Sequence, residues 1–255
     1  GTPEARAADL HELLADPGVD AILCARGGSG ALGLLPLLDY ALAARAGKPL
    51  IGLSDVTALH LALLARSGRP GVAAPVLTQL ASLPDYSWER WLEAAAGPLP
   101  AGPVPLPAGL APRRLEGTPA VPAEGLLLPC NLSLLASLIG TPYLPPLDGA
   151  ILLLEDVHET PQSLDRMVSS LRLSGLDAGL AAVVLGQFTD CRPRNPGVTE
   201  EEGRRVVHAW ARSLGVPVLV DFPFGHDPLC CALPFGAVAR LAVGPPALEL
   251  VAPPA

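Results

Sequence analysis

Apolar residues fall into short uninterrupted runs, with amphipathic stretches between them and glycine or proline at the junctions. Residues 3–15 set Ala5, Ala8, Leu10, Leu13 and Leu14 near helical spacing, and Asp16-Pro17-Gly18 stops the pattern. The run 19–25 (VDAILCA) reads as a buried strand, followed by the turn Arg26-Gly27-Gly28-Ser29-Gly30. A helix is expected over 31–46, interrupted at Pro36. Residues 49–53 (PLIGL) predict a second buried strand, with Ser54-Asp55 at its end and a helix over 56–67. Strand, turn and helix, repeated, are the grammar of a parallel α/β sheet. Ligands of such sheets sit at the carboxyl ends of the strands, the edge at which both turns lie.

The character changes over residues 83–122, where prolines recur at 84, 98, 100, 103, 105, 107, 112, 119 and 122 and only 88–96 looks helical. This reads as a connecting segment between an N-terminal lobe (1–82) and a C-terminal lobe (123–255). The second lobe predicts a helix over 131–139, a strand over 149–154 ending at Glu155-Asp156, and an amphipathic helix over 162–173. A strand over 181–185 leads into Gly186-Gln187-Phe188. A helix over 199–214 is expected to open on a capping box, Thr199 to Glu202. A strand over 216–220 and a closing pair, 231–235 with 238–243, complete it. The fold class is therefore α/β in two lobes: a Rossmann-like parallel layer, then a mixed α/β domain.

Half of the 255 residues are hydrophobic and 16% are charged. A membrane span is the first alternative to test. The longest charge-free stretch, 125–147, contains Pro129, Pro142, Pro145 and Pro146, and its apolar runs are short. It does not predict a transmembrane helix. No basic start precedes an apolar core, so no secretory leader is expected. Net charge is −8, with no stripe of Lys or Arg, which argues against a nucleic-acid partner. The five cysteines lack CxxC spacing, and an odd count suits a reduced cytoplasm. No His/Cys cluster has metal-ligand spacing, so no metal site is expected.

Four features carry candidate chemistry. Gly28-Ser29-Gly30-Ala31-Leu32-Gly33 matches G-x-G-x-x-G after a predicted strand. It fits a plain βα turn, a phosphate or oxyanion cradle, or a dinucleotide-binding module, although the next strand lacks a terminal Asp or Glu. Ser54 sits between strand and helix, where it reads as an N-cap or as a nucleophile at a helix N-terminus. His11, His60 and His208 fall within predicted helices as surface or packing residues, whereas His226 lies in the loop Phe224-Gly225-His226-Asp227-Pro228. Glu155 ends an apolar strand, with Asp156 and Glu159 as close competitors. Serine needs a base, and an imidazole needs a carboxylate to fix its tautomer, so Ser54, His226 and Glu155 compose a triad if the fold brings them together.

These residues stand in a familiar order. Ala25-Arg26-Gly27-Gly28-Ser29-Gly30 resembles the ARGGYG turn of the LD-carboxypeptidase family, which includes murein tetrapeptide carboxypeptidases and the microcin C immunity protein. Residues 48–59 (KPLIGLSDVTAL) resemble the family's nucleophile block. Asn131-Leu132-Ser133-Leu134-Leu135 with Gly140-Thr141-Pro142-Tyr143, residues 151–157 (ILLLEDV) with Leu164-Asp165-Arg166, Val184 to Phe188, and Gly225-His226 with Leu233 to Gly236 resemble the remaining blocks. The resemblance spans nearly the whole chain. It implies a Ser54–His226–Glu155 peptidase (Glu159 in reserve) releasing D-alanine from murein tetrapeptides. It further implies an oxyanion hole at the amides of Gly28 and Asp55, substrate contacts from Arg26 and Asn131, no cofactor, and a cytoplasmic homodimer. Departures are Ser29 in place of the turn tyrosine, Ala73-Ala74-Pro75 in place of HGP, and Pro129-Cys130 in place of a glycine pair. The family's first strand and helix precede the point where this sequence starts, so the parallel layer is expected to lack its first strand. An amidase acting on aminoacyl-nucleotides and an inactive truncated relative are the alternatives.

Overall fold

The computed structural model of the chain describes residues 1–192 and 199–251. The first lobe runs α1 (Pro3–Ala15), β1 (Ile22–Leu23), a 3-10 turn (Leu32–Leu37), α2 (Tyr40–Ala46), β2 (Leu50–Gly52), α3 (Thr57–Ser67) and β3 (Gly71–Ala73). The proline-rich segment holds α4 (Asp85–Ala96), β4 (Gly102–Pro103) and β5 (Arg113–Arg114). Then follow β6 (Ala123–Asn131), α5 (Leu132–Ser137), β7 (Ile151–Val157), α6 (Pro161–Leu173), β8 (Ala182–Thr189), α7 (Glu201–Ser213), β9 (Val218–Val220), β10 (Leu233–Phe235), β11 (Ala237–Val243) and β12 (Pro246–Leu250).

Local chemistry sets the helix ends. Thr2 caps α1 by accepting from Ala5 N, and Pro3 opens the first turn, where its missing N–H costs nothing. Ala7, Leu10 and Leu14 form its buried stripe. Thr160 caps α6 in the same way, and Gly68 ends α3 in the left-handed conformation. Helix α3 buries every residue from Thr57 to Leu63, because it packs against α5 and β6 of the second lobe as well as its own sheet.

The strands form a four-stranded sheet, β1-β2-β3-β10, and an eight-stranded sheet, β4-β12-β11-β6-β7-β8-β9-β5. Strands β1, β2 and β3 are parallel, as are β6 to β9. The apolar run 151–154 is fully buried, as expected for a parallel strand covered on both faces.

Three expectations are corrected. The stretch 31–46 is a 3-10 turn followed by the short α2, because Pro36 removes a backbone donor and Asp39 caps a new start. The capping box at Thr199 does not form; α7 begins at Glu201, with Glu200 at its cap and no side-chain cap bond. The closing strands do not pair with each other. Gly236, at φ +82°, turns the chain so that β10 runs antiparallel to β3 in the first sheet while β11 joins β6 and β12 in the second. The proline-rich segment also does more than connect. Its β4 pairs with β12 and its β5 with β9, at opposite edges of the large sheet.

No helix among the described residues is long and apolar enough to cross a membrane. All five cysteines are free, four of them buried.

Candidate active site

Strand β2 delivers Ser54. Gly52 permits the sharp exit, since a Cβ there would meet Val56 Cγ1 at 2.8 Å. Ser54 itself holds φ +67°, a region that costs a residue with a Cβ and survives only where the surroundings enforce it. Its hydroxyl is not a helix cap: Leu53 and Val56 occupy the cap positions of the 3-10 turn 54–56 and of α3, and neither cap has a side-chain bond.

The glycine turn abuts this serine. A Cβ on Gly27 would lie 3.0 Å from Ser54 Cβ and 3.3 Å from its Oγ, so a side chain there would crowd the serine. Gly28 and Gly30 take φ +106° and +105°. Asp55, 6% exposed, accepts from Ala31 N at 2.9 Å and ties the turn to the serine loop. Arg26 is exposed, with its Nε donating to the Gly27 carbonyl at 3.3 Å. The Ala31 amide, where a pyrophosphate would sit, already faces a carboxylate, and a 3-10 turn follows in place of an α-helix. That arrangement removes the basis of the dinucleotide reading.

The second lobe supplies the acid and the imidazole. Asn131 and Glu155 are register partners on β6 and β7. Consecutive strand residues ordinarily point to opposite faces, but the ladder slips between Leu154 and Asp156. Asn131 Nδ2 therefore reaches both Glu155 Oε1, at 3.2 Å, and Asp156 Oδ1, at 3.1 Å. Its Oδ1 caps α5 at Leu134 N, and its backbone N donates to Thr57 Oγ1 at 3.2 Å, one turn beyond Ser54. Asn131 is 3% exposed with its polar atoms occupied, which sets it behind Glu155 and away from open surface.

Glu155 is fully buried, and its Oε2 lies 2.6 Å from His226 Nδ1. Burial alone pushes the imidazole pKa down. The Glu155 hydrogen bond and charge, with Asp156 and Asp227 adding theirs, outweigh it and hold His226 above its ordinary value. Burial raises Asp156 to about 6, against the opposing bonds from Ser133, Val157 and Asn131. Glu159 stands 3.3 Å from Ser133 Oγ, and the carboxylate on His226 is Glu155. His226 bonds to Glu155 and not to Ser54.

The remaining histidines sort by their contacts. His11 accepts from Asp39 N, and the exposed His158 pairs with Asp190 at 3.8 Å. His208 is half-buried on α7, and burial lowers its pKa. His60, 2% exposed, meets the Gly52 carbonyl through Nε2 at 3.1 Å and stacks on Phe235, and burial drives its pKa down to about 4. Thr57, which accepts from Asn131 N, and Ser87 and Gln187, which bond to the loop carrying His226, had no assigned role in the sequence. Only Gln187 left a signal, a polar residue at the carboxyl end of a predicted strand.

A strained serine at a strand end in one lobe and an imidazole held by a buried carboxylate in the other are the kinds of group a hydrolytic enzyme uses. Residues 1–74 match the N-terminal domain of LD-carboxypeptidases and residues 124–241 match their C-terminal domain, so the chain belongs to the LD-carboxypeptidase family. It is 38% identical over 249 residues to the murein tetrapeptide carboxypeptidase of Pseudomonas aeruginosa, covering 94% of this chain and 78% of that one. It is 26% identical to the microcin self-immunity protein MccF of Escherichia coli, over 92% of this chain and 75% of that one. The crystal structure of muramoyltetrapeptide carboxypeptidase from Oxalobacter formigenes superposes with a TM-score of 0.83 at 30% identity, covering 100% of this chain and 86% of that one.

Proposed function

We propose that the chain is a serine carboxypeptidase that releases the terminal D-alanine from murein tetrapeptides by cleaving an L,D-amide bond. The 2.6 Å contact of buried Glu155 with His226 Nδ1 carries this reading, because it leaves Nε2 as the basic nitrogen. His226 Nε2 takes the Ser54 hydroxyl proton as Oγ attacks the scissile carbonyl. The amides of Gly28 and Asp55 receive the oxyanion. His226 then hands the proton to the departing D-alanine nitrogen, and water releases the acyl group from Ser54 by the same two steps. Glu155 holds the imidazole orientation and stabilises its cationic form. Arg26, exposed beside the glycine turn, suits the terminal carboxylate of the leaving residue. Catalytic hydrogen bonds commonly tighten only around substrate, which accommodates the open serine.

The unpaired cysteines suit a reducing compartment, so we propose a cytoplasmic enzyme, and the family resemblance implies a homodimer. Light scattering tests the dimer.

The test is mass spectrometry on L-Ala-γ-D-Glu-meso-diaminopimelate-D-Ala. Wild type should release D-alanine and Ser54→Ala should not. Intact peptide after incubation with folded wild type would sink the reading. The MccF relative supports a second reading, an amidase of aminoacyl-nucleotides, and an aminoacyl sulfamoyl adenosine in the same assay separates the two.

A further inference from the structure

We propose that Gln187 is a positioning residue for the imidazole: it brackets His226 from both sides, and Ser87 of the proline-rich segment completes the hold. The proposal rests on the reading of His226 as the base. Gln187 lies on β8, at the carboxyl edge of the large sheet, and makes three hydrogen bonds to the loop that carries His226. Its backbone N donates to the Phe224 carbonyl at 2.9 Å. Its side-chain Oε1 accepts from Asp227 N at 3.0 Å, and its Nε2 donates to the Leu229 carbonyl at 2.7 Å. The residues two before and one after His226 are therefore fixed to a single side chain and its own backbone. The approach is close. A Cβ on Gly225 would fall 2.8 Å from Gln187 Cβ, and one on Gly186 would fall 2.3 Å from the Phe224 carbonyl oxygen.

Ser87 acts on the far end of the same loop. Its hydroxyl, fully buried, donates to the Pro228 carbonyl at 2.9 Å and accepts from Cys230 N at 2.9 Å. A hydroxyl can do both at once, and an alanine would leave both backbone groups unpaired in the interior. Thr189 adds a bond to the Asp227 carboxylate at 2.8 Å. The loop from 224 to 230 thus has its polar backbone tied from two separate elements, β8 and α4. Glu155 orients the ring, while Gln187 and Ser87 set where the ring's backbone stands. A loop placed by glycine and proline alone would not hold Nε2 to the tolerance that proton transfer from Ser54 requires.

Gln187→Met keeps the side chain's length and removes both of its polar bonds. We expect kcat on the tetrapeptide to fall by about thirtyfold to a hundredfold with KM unchanged within about threefold, as for a misplacement of about 1 Å. The downfield Nδ1 proton resonance of His226, read in histidine-15N-labelled enzyme, should broaden or vanish while the thermal midpoint shifts by only a few degrees. Ser87→Ala should move the same two readouts in the same direction, and it carries the test if Gln187→Met does not fold. A wild-type kcat in the folded variants, or a loss of kcat with the His226 resonance unaltered, would overturn the proposal. His226→Ala is the control. An active His226→Ala enzyme would defeat the reading of the base itself, whereas an inactive one beside a fully active Gln187→Met would defeat the positioning role alone.

Discussion

Ser54 pays for its place at the strand end with a backbone angle that glycine would adopt freely. Ser54→Gly should therefore raise stability by about 0.5–1 kcal/mol in urea titrations while abolishing peptidase activity. Ser54→Ala, equally inactive, should show no such gain. His60 gives a second contrast. Its folded pKa of about 4 lies below the ordinary 6.5, so its contribution is present above 6.5 and is lost as pH falls toward 4, where the unfolded chain takes up the proton. The loss should be on the order of 3 kcal/mol, and His60→Gln, which does not titrate, should flatten stability between those pH values. His226 shifts the other way, so kcat/KM should fall as pH drops through a value above 6.5. Asp156→Asn removes a negative charge facing that ring, and the acid limb should then move to lower pH in the rate profile. Ser54, Glu155 and His226 stood out as candidates in the sequence because each lies in a run of resembling blocks, and the structure joins Glu155 to His226. The clasp of Asn131 on two successive carboxylates was not legible there, since it depends on a ladder slip that leaves no mark in the pattern.

At the scale of elements, legibility followed burial. Strands covered on both faces appear as unbroken apolar runs, and 151–157, 182–189 and 218–220 lie where such runs predict strands. Helix α1 matches its predicted span because cap, stripe and stop all agree. The two-residue strands β4 and β5 have no periodicity to detect; they exist because edges of a large sheet are available to pair. The strand β10 looks like half of a hairpin because a glycine separates it from β11, and only tertiary pairing with β3 assigns it elsewhere. Gly236 makes that parting possible. A Cβ there would lie 3.1 Å from Leu64 and sit at positive φ, so Gly236→Ala should cost about 1–3 kcal/mol in denaturant unfolding.

Across the molecule, the two sheets are joined by β10 and by the Thr57–Asn131 hydrogen bond, and the proline-rich segment runs from one edge of the large sheet to the other. An open edge is a template for pairing with another chain, and proline at an edge blocks it. Pro103 sits in β4, directly against β12. Replacing residues 98–107 with a glycine–serine linker should uncover β12, and light scattering should show association that grows with protein concentration.

Strand β10 also imposes an order on synthesis. Residues 71–73 leave the ribosome some 160 residues ahead of the partner they need, roughly 8–30 s earlier at ordinary elongation rates. Throughout that interval the small sheet has an unoccupied flank, and Ser54 rides on an unfinished support. A nascent chain arrested before residue 224 would hold a serine with neither the closing strand nor the imidazole loop. Peptidase competence therefore arrives late and all at once, when the closing segment crosses back to the lobe made first.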